Sequence, residues 1–207
     1  MAERFAPAQA SRYAPSGFRM SLHTSGIVIN IGRPIDPKYL LGQFGLNGKL
    51  ASETISVSNA LSLGPNDGLA IASVREWSVV FGSALYMPMV SWDGKPLSMG
   101  PGFNNIIVQG NLERLCADGG KAFTFIAEGA SMTYGFEWYD QVLQRRYLEI
   151  DGEESVNEGE ILEDEQSIFD ETDDQEERIW NLMKRWTISL EEGNSAQYSH
   201  FLNVKGA

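Results

Sequence analysis

The chain has 207 residues, 28 acidic and 16 basic side chains, a formal net charge of −12 and a single cysteine. This charge argues against unaided binding to nucleic acid or to an anionic membrane, because phosphate contacts depend on Lys and Arg, and one cysteine cannot form an internal disulfide. A chain of this length is expected to form one domain, since domains commonly run to roughly 100 to 200 residues.

The N-terminal residues 1–16 are expected to form a flexible arm, followed by a single domain over 17–207. Their prolines and small residues offer no periodic apolar face that would offset the entropy lost on ordering. They also lack the basic start and apolar core of a secretory signal, and no apolar run reaches the roughly 18 residues that span a bilayer. The sequence therefore predicts a soluble, cytoplasmic protein that makes no membrane contact.

Strand-like runs dominate the first part of the domain. The first run covers 18–31, where isoleucines alternate with other residues as in a half-buried strand. A short helix is then expected to begin after Asp36, which can cap it while Pro37 occupies the first helical position. Two further strands are predicted over 54–63 and 69–81, joined by a turn rich in Pro, Asn, Asp and Gly.

The longest irregular connection is predicted over 86–110, which holds three prolines and four glycines. Its large apolar side chains either tuck back onto the core or form a binding loop over 86–103. A short helix is expected to follow from Asn111 to Asp118. Cys116 on this helix is expected to be a small buried thiol rather than a nucleophile.

Three antiparallel strands are then predicted over 121–128, 131–139 and 142–150, because the connections between them are too short for parallel crossovers. A helix capped by Thr172 or Asp173 follows, with one apolar face. Many strand-like runs and few long helices indicate an α+β fold: a largely antiparallel sheet with two or three helices packed on one face.

The stretch 151–177 carries fourteen acidic side chains and no basic one, so the rest of the chain has 14 acids against 16 bases. One interpretation is a solvated linker. The other is an interaction surface for a basic partner, with Ile161, Leu162, Ile168 and Phe169 as apolar anchors. The candidate partner-binding residues are Glu153, Glu154, Glu158, Glu160, Glu163, Asp164, Glu165, Asp170, Glu171, Asp173 and Asp174.

A search for catalytic motifs in the sequence finds none. His23 and His200 stand apart from any second metal-ligand residue at a metal-binding spacing, and no Gly-x-Ser-x-Gly elbow or phosphate-binding Gly-x-x-x-x-Gly-Lys loop occurs. The run from Asp151 lacks the glycine that an EF-hand needs at its sixth position. We therefore predict no catalytic, cofactor-binding or metal-binding residue, and a protein that is not an enzyme.

The segment from Trp77 to about Glu165 combines an early Trp strand, a short helix, two later strands and a short acidic run. These features are carried by Trp77, Leu112 to Ala117, Thr133, Tyr134, Gly135, Phe136, Arg145, Arg146, Glu158, Gly159 and Glu160. In outline the segment resembles small bacterial immunity proteins and their relatives from toxin-immunity loci, and the resemblance covers under half of the chain.

This resemblance implies a cytoplasmic inhibitor that neutralises a bacterial toxin and needs no active site. An acidic inhibitor suits a basic toxin, above all a nuclease delivered by a secretion system, because carboxylates can occupy a surface built for phosphates. The alternative is an enzyme or small-ligand-binding protein that uses the 86–103 loop. The sequence leaves the oligomeric state open.

Overall fold

A computed structural model of the protein describes residues 24–64, 66–82, 85, 105–129 and 131–206. The predicted arm over 1–16 and the predicted binding loop over 86–103 lie outside the described residues.

The described residues contain one antiparallel sheet of nine strands. Its strands follow one another across the sheet in the order β2-β9-β3-β4-β1-β5-β6-β7-β8, so that β2 and β8 form its two edges. The strands are β1 (Thr24–Asn30), β2 (Leu46–Ile55), β3 (Leu69–Val74), β4 (Trp77–Phe81), β5 (Lys121–Glu128), β6 (Thr133–Asp140), β7 (Val142–Ile150), β8 (Glu153–Gly159) and β9 (Tyr198–Gly206).

The described residues also form six helices. They are α1 (Pro37–Gln43), α2 (Val57–Leu61), α3 (Asn105–Cys116), α4 (Glu163–Glu171), α5 (Gln175–Trp186) and α6 (Leu190–Gly193). The α+β class and the antiparallel sheet are confirmed, although strands dominate and the helices outnumber the two or three that the sequence predicted.

The helices cover both faces of the sheet, so the prediction that they share one face is wrong. Helices α2, α4 and α5 pack with Val28, Phe123 and Phe136 on one face, which we call the α5 face. Helices α1 and α3 pack with Ile27 and Tyr139 on the opposite face, which we call the α3 face. The cause is that central strands such as β1 and β4 are apolar at consecutive positions, so both faces need cover.

Other expectations need correction along the chain. The predicted strand over 54–63 is instead the end of β2 followed by α2, whose N-cap is Ser56. The run 69–81 is a hairpin, because Arg75 takes a left-handed conformation between β3 and β4. The helix predicted from Asn111 begins six residues earlier, at Asn105. The acidic stretch adds β8 and α4, which the sequence did not predict.

The three strands β5, β6 and β7 form the antiparallel meander that was predicted, within two residues at each end. They position the acidic stretch, because β8 pairs antiparallel with β7 at the edge of the sheet. Helix α4 then returns the chain to the α5 face, and α5 packs across β5 and β6. Trp186 of α5 lies against Phe123, Phe136 and Trp138, with ring centroids 5.3–5.8 Å apart.

Candidate functional site: an acidic edge held by two buried arginines

The acidic stretch is folded over most of its length, as β8, α4 and the first turn of α5. Strand β8 lies at the sheet edge and exposes all of its residues except the partly buried Val156. Helix α4 places three acids in its first turn, where the helix dipole favours negative charge. A wholly solvated linker is therefore not the form that this part of the chain takes.

Arg145 of β7 anchors the stretch from the α5 face. Its side chain is 1% exposed and pairs with Glu165 of α4, which is 2% exposed. The guanidinium donates from Nε and Nη2 to the Glu165 carboxylate at 2.7–3.1 Å, and from Nη1 to the backbone carbonyl of Glu158 at 2.9 Å. One buried side chain thus joins β7 to both β8 and α4.

The carboxylate of Glu165 also shapes the start of α4. It accepts a hydrogen bond from the backbone amide of Leu162 at 3.3 Å, while the Glu165 amide bonds the Leu162 carbonyl at 2.9 Å. Glu165 therefore satisfies an amide at the helix start and the buried guanidinium of Arg145 at once. Its carboxylate faces inward and does not belong to the surface of the protein.

Arg146 anchors the same stretch from the α3 face, because neighbouring side chains in a strand point to opposite faces. Its Nε donates to the Glu137 carboxylate at 2.7 Å, and its Nη1 lies 3.3 Å from the Glu158 carboxylate of β8. The side chain is buried, and its Nη2 has no hydrogen-bond partner. The result is a polar row across the sheet through Thr124, Glu137, Arg146 and Glu158.

Glu137 is the centre of this row and is fully buried. It accepts hydrogen bonds from Tyr139 Oη at 2.8 Å and Thr124 Oγ1 at 3.2 Å in addition to that from Arg146. Burial raises the pKa of the Glu137 carboxyl, and the Arg146 guanidinium and the two hydroxyl groups oppose part of that rise. Two of its three hydrogen-bond donors come from the flanking strands, Thr124 from β5 and Arg146 from β7, and Arg146 also reaches Glu158 of β8. We therefore assign this cluster to holding β5, β6, β7 and β8 together.

The structure separates the predicted partner-binding acids into exposed and internal ones. Asp164 is partly buried and lies 3.3 Å from Arg185, whereas Glu165 is buried. We call the remaining nine exposed acids the acidic surface: Glu153, Glu154, Glu158, Glu160, Glu163, Asp170, Glu171, Asp173 and Asp174. Several of these acids also make intramolecular contacts. Glu158 pairs with Arg146, and Asp174 caps α5 through the Glu177 amide. Others contact a side chain three to five residues away in the chain: Glu154, Asp170, Glu171 and Asp173.

The predicted apolar anchors also divide. Ile161 is 56% exposed and stands between Glu160 and Glu163, so it is available to a partner. Ile168 is in the core, and Phe169 packs against Tyr147 with ring centroids 5.3 Å apart. Ile168 and Phe169 serve mainly to dock α4 on the sheet.

A shallow cleft of about 330 Å³ lies between α4 and α5. Its lining is mixed in charge and polarity: Ile168, Glu171, Asn181, Lys184 and Arg185. Lys184 and Arg185 oppose the acids of α4, so this part of the surface is nearly neutral.

Sequence reasoning missed the two residues that hold the site. Arg145 and Arg146 were part of the resemblance, but no role followed for them from the sequence. The sequence did contain one signal for them. Arg145 and Arg146 are consecutive in a predicted strand, so their side chains point to opposite faces of the sheet, and both faces are covered by other parts of the chain. Glu137 lies nine residues from its partner Arg146 and Glu165 lies twenty residues from its partner Arg145, so each pair meets only in the fold.

Cys116 is buried on α3, as the sequence predicted. Burial, and secondarily the charge of Asp140, raise the pKa of its thiol to about 12. Because the thiolate is the reactive form, we expect a disulfide reagent at pH 8 to modify the native protein about a thousandfold more slowly than the urea-unfolded protein. Equal rates in the two states would contradict this burial.

No metal centre is formed by the described residues: they contain no group of three or more His, Cys, Asp or Glu side chains that could hold an ion. His200 instead bonds the carbonyl of Asp67 at 2.7 Å, and His23 lies outside the described part of the chain. The helices described here include none long and apolar enough to cross a membrane. Comparison of the chain with family models, with curated proteins and with solved structures found no match.

Proposed function

We propose that the protein is an immunity-type inhibitor that binds a basic bacterial toxin through the acidic surface. The observation that carries the proposal is the ordered backbone of this surface, held by the Arg145–Glu165 pair on one face and by Arg146 on the other. Rigid elements that present charge in advance lose less conformational entropy on binding than a flexible tail does. The acids thus form a preorganised surface.

The charge of the surface selects the chemistry of the partner. Nine exposed carboxylates repel nucleic acid and anionic lipid, and they attract Lys and Arg side chains over a distance of about 10 Å at moderate ionic strength. A nuclease is the favoured class of toxin, since its own substrate-binding surface is basic and the carboxylates would compete with phosphates there. Ile161, exposed among acids, adds one apolar contact for specificity.

The inhibitory role requires no catalysis by this chain. In such a role the protein would act in the cytoplasm of the cell that makes the toxin. Association should be fast and salt-dependent, because complementary charge increases the encounter rate more than it slows dissociation.

The experiment measures binding to catalytically inactive toxin domains encoded by neighbouring genes. The double variant Glu160→Lys/Glu163→Lys reverses two exposed acids that flank Ile161. We expect the dissociation constant to rise at least about tenfold at low salt, chiefly through a slower association rate. Surface plasmon resonance at two salt concentrations separates the rates.

The matched control is Glu76→Lys/Asp118→Lys, which changes the net charge by the same amount at exposed positions outside the acidic stretch. Its affinity should stay within about twofold of the unmodified protein, because screening weakens charges that are not in contact with the partner. Equal losses in the two double variants would reject the acidic surface as the binding site. Absence of binding to every basic toxin encoded nearby would reject the function.

A further inference from the structure

The acidic edge of the sheet is an open strand. Strand β8 pairs with β7 on one side, and no strand among the described residues pairs with its other side. Six of its seven residues are exposed, so the backbone of this edge is accessible to solvent. An edge strand of this kind presents a row of unpaired amide and carbonyl groups, which can form a ladder with a further strand.

The regular part of this edge covers residues 156–159, where four consecutive residues of β8 pair in turn with four of β7. The register shifts before this part, because Ser155 is an extra residue between the partners of Leu148 and Glu149. Such a bulge interrupts a regular ladder. An added strand can therefore continue the sheet across 156–159, and the bulge at Ser155 limits its length.

The side chains of this part alternate between the two faces of the sheet. Glu158 pairs with Arg146 and points to the α3 face with it, and Val156 shares that face because it is two residues away. Asn157 points to the α5 face, where its amide donates to the Glu154 carboxylate at 2.8 Å. On the α3 face, an added strand thus meets one exposed carboxylate and one apolar side chain.

The charge of β8 decides what can pair with it. The strand carries three glutamates and no basic residue. A second copy of β8 is repelled, since like charges opposite each other destabilise a strand pair and the net charge of −12 opposes the association of two copies. A strand that carries lysine or arginine is attracted instead. The other edge strand, β2, has one base and one acid and lacks this preference.

We propose, resting on the proposed function, that the basic partner adds one of its own strands to β8 across 156–159. The ladder joins main-chain groups, which supply affinity, and the side chains opposite β8 supply specificity. A lysine or arginine of the added strand stands opposite Glu158, and an apolar residue two positions along it stands opposite Val156. The protein thus recognises an exposed strand with this spacing in addition to the overall charge of the partner.

The experiment records amide NMR spectra of the full chain with the capped peptide Thr-Lys-Thr-Val-Thr-Lys-Thr, which has the required spacing in both strand directions. At low salt we expect the largest shift changes on β8, with a dissociation constant on the order of 1 mM. Hydrogen exchange should become slower at alternate amides of 153–159, because only alternate backbone groups face an added strand.

Two control peptides have the same charge and carry backbone N-methyl groups, one on its lysines and valine and the other on its threonines. At least one of them should bind about tenfold more weakly, because it cannot form the ladder. In the protein, Glu158→Gln should weaken binding of the unmethylated peptide about two- to fivefold. The matched variant Glu53→Gln, which makes the same change at an exposed position of β2, should leave its affinity unchanged.

Equal affinities of the three peptides would mean that charge alone attracts them, and would overturn strand addition. So would shift changes that are larger on β2 than on β8, or none on β8 at all. A toxin complex in which all β8 amides keep their exchange rates would reject this inference and leave the proposed function intact. A peptide that pairs with β8 while no toxin binds would support the strand-binding edge and reject the proposed function.

Discussion

Replacement of Arg145 by methionine is expected to lower the free energy of unfolding by about 3 to 5 kcal/mol, because it leaves the Glu165 carboxylate buried without a counter-charge. Arg145 and Glu165 are almost wholly inaccessible to water, so solvent cannot replace the lost partner. The carbonyl of Glu158 loses its donor in the same variant. Urea unfolding followed by tryptophan fluorescence measures the change.

A second replacement identifies the cause of this loss. Arg145→Met/Glu165→Leu removes both charges and should recover at least about half of the lost stability, since a buried ion pair can often be replaced by apolar residues at little cost. The matched single control is Arg185→Met, whose ion pair with Asp164 is open to solvent, with the two side chains 56% and 41% exposed. Its effect should stay below about 1 kcal/mol because exposed pairs contribute little. Equal effects of Arg145→Met and Arg185→Met would contradict the anchoring role of Arg145.

Arg145 also affects the proposed binding function. Arg145 does not belong to the acidic surface, yet it fixes the positions of β8 and α4, which carry most of that surface. The Arg145→Met variant should therefore bind a basic partner more weakly without any change in the exposed acids. This loss of affinity would reflect the conformational entropy that the loosened segment loses when it becomes ordered at the interface.

The meander β5–β7 was predictable because the information for it is local. Alternation over 131–139 and predicted connections of two residues leave few other possibilities, and the observed strands match the predicted ones within two residues. The alternation does not determine burial in full. Met132 lies in the turn before β6 and is 45% exposed, and Glu137 is buried although it is on the face away from Phe136.

Strand β9 shows what local sequence cannot supply. The C-terminal residues gave no clear signal, yet β9 inserts between β2 and β3, with Phe201 paired to Leu50 on one side and Leu69 on the other. These contacts join residues more than 130 positions apart in the chain. Helix α2 was missed for a simpler reason, since Ile55, Val57 and Leu61 suit a strand as well as a helix until the Ser56 cap is recognised.

The candidate site was predictable in location and not in detail. Charge alone identifies 151–177, because that stretch holds all of the excess negative charge. Which acids face solvent depends on contacts across the sheet. Glu165 is buried, whereas Glu163 is exposed, because Glu165 pairs with the guanidinium of Arg145. The pattern of charges along the helix does not reveal this partner, because Arg145 lies in a strand twenty residues earlier in the chain.

Gly159 gives the second large expected effect, since it connects β8 to the segment that leads into α4. Its φ of +87° is in the left-handed region, and an added Cβ would overlap the backbone carbonyl of Gln144 on β7. Gly159→Ala should cost about 1 to 2 kcal/mol for the backbone conformation and a similar amount for the overlap, about 3 kcal/mol in all. Urea unfolding measures the total.

Gly152 is the matched control, because its φ of +78° is also left-handed but an added Cβ there meets no atom within 4 Å. Gly152→Ala should therefore cost only the conformational part, about 1 to 2 kcal/mol. Hydrogen exchange should show faster exchange over 153–171 in Gly159→Ala than in Gly152→Ala, because the overlap pushes β8 away from β7 and weakens the bond from Arg145 to the Glu158 carbonyl. Equal costs and equal exchange in the two variants would mean that β8 does not depend on close contact with β7, and the acidic surface would then lack the rigid support that the proposed function requires.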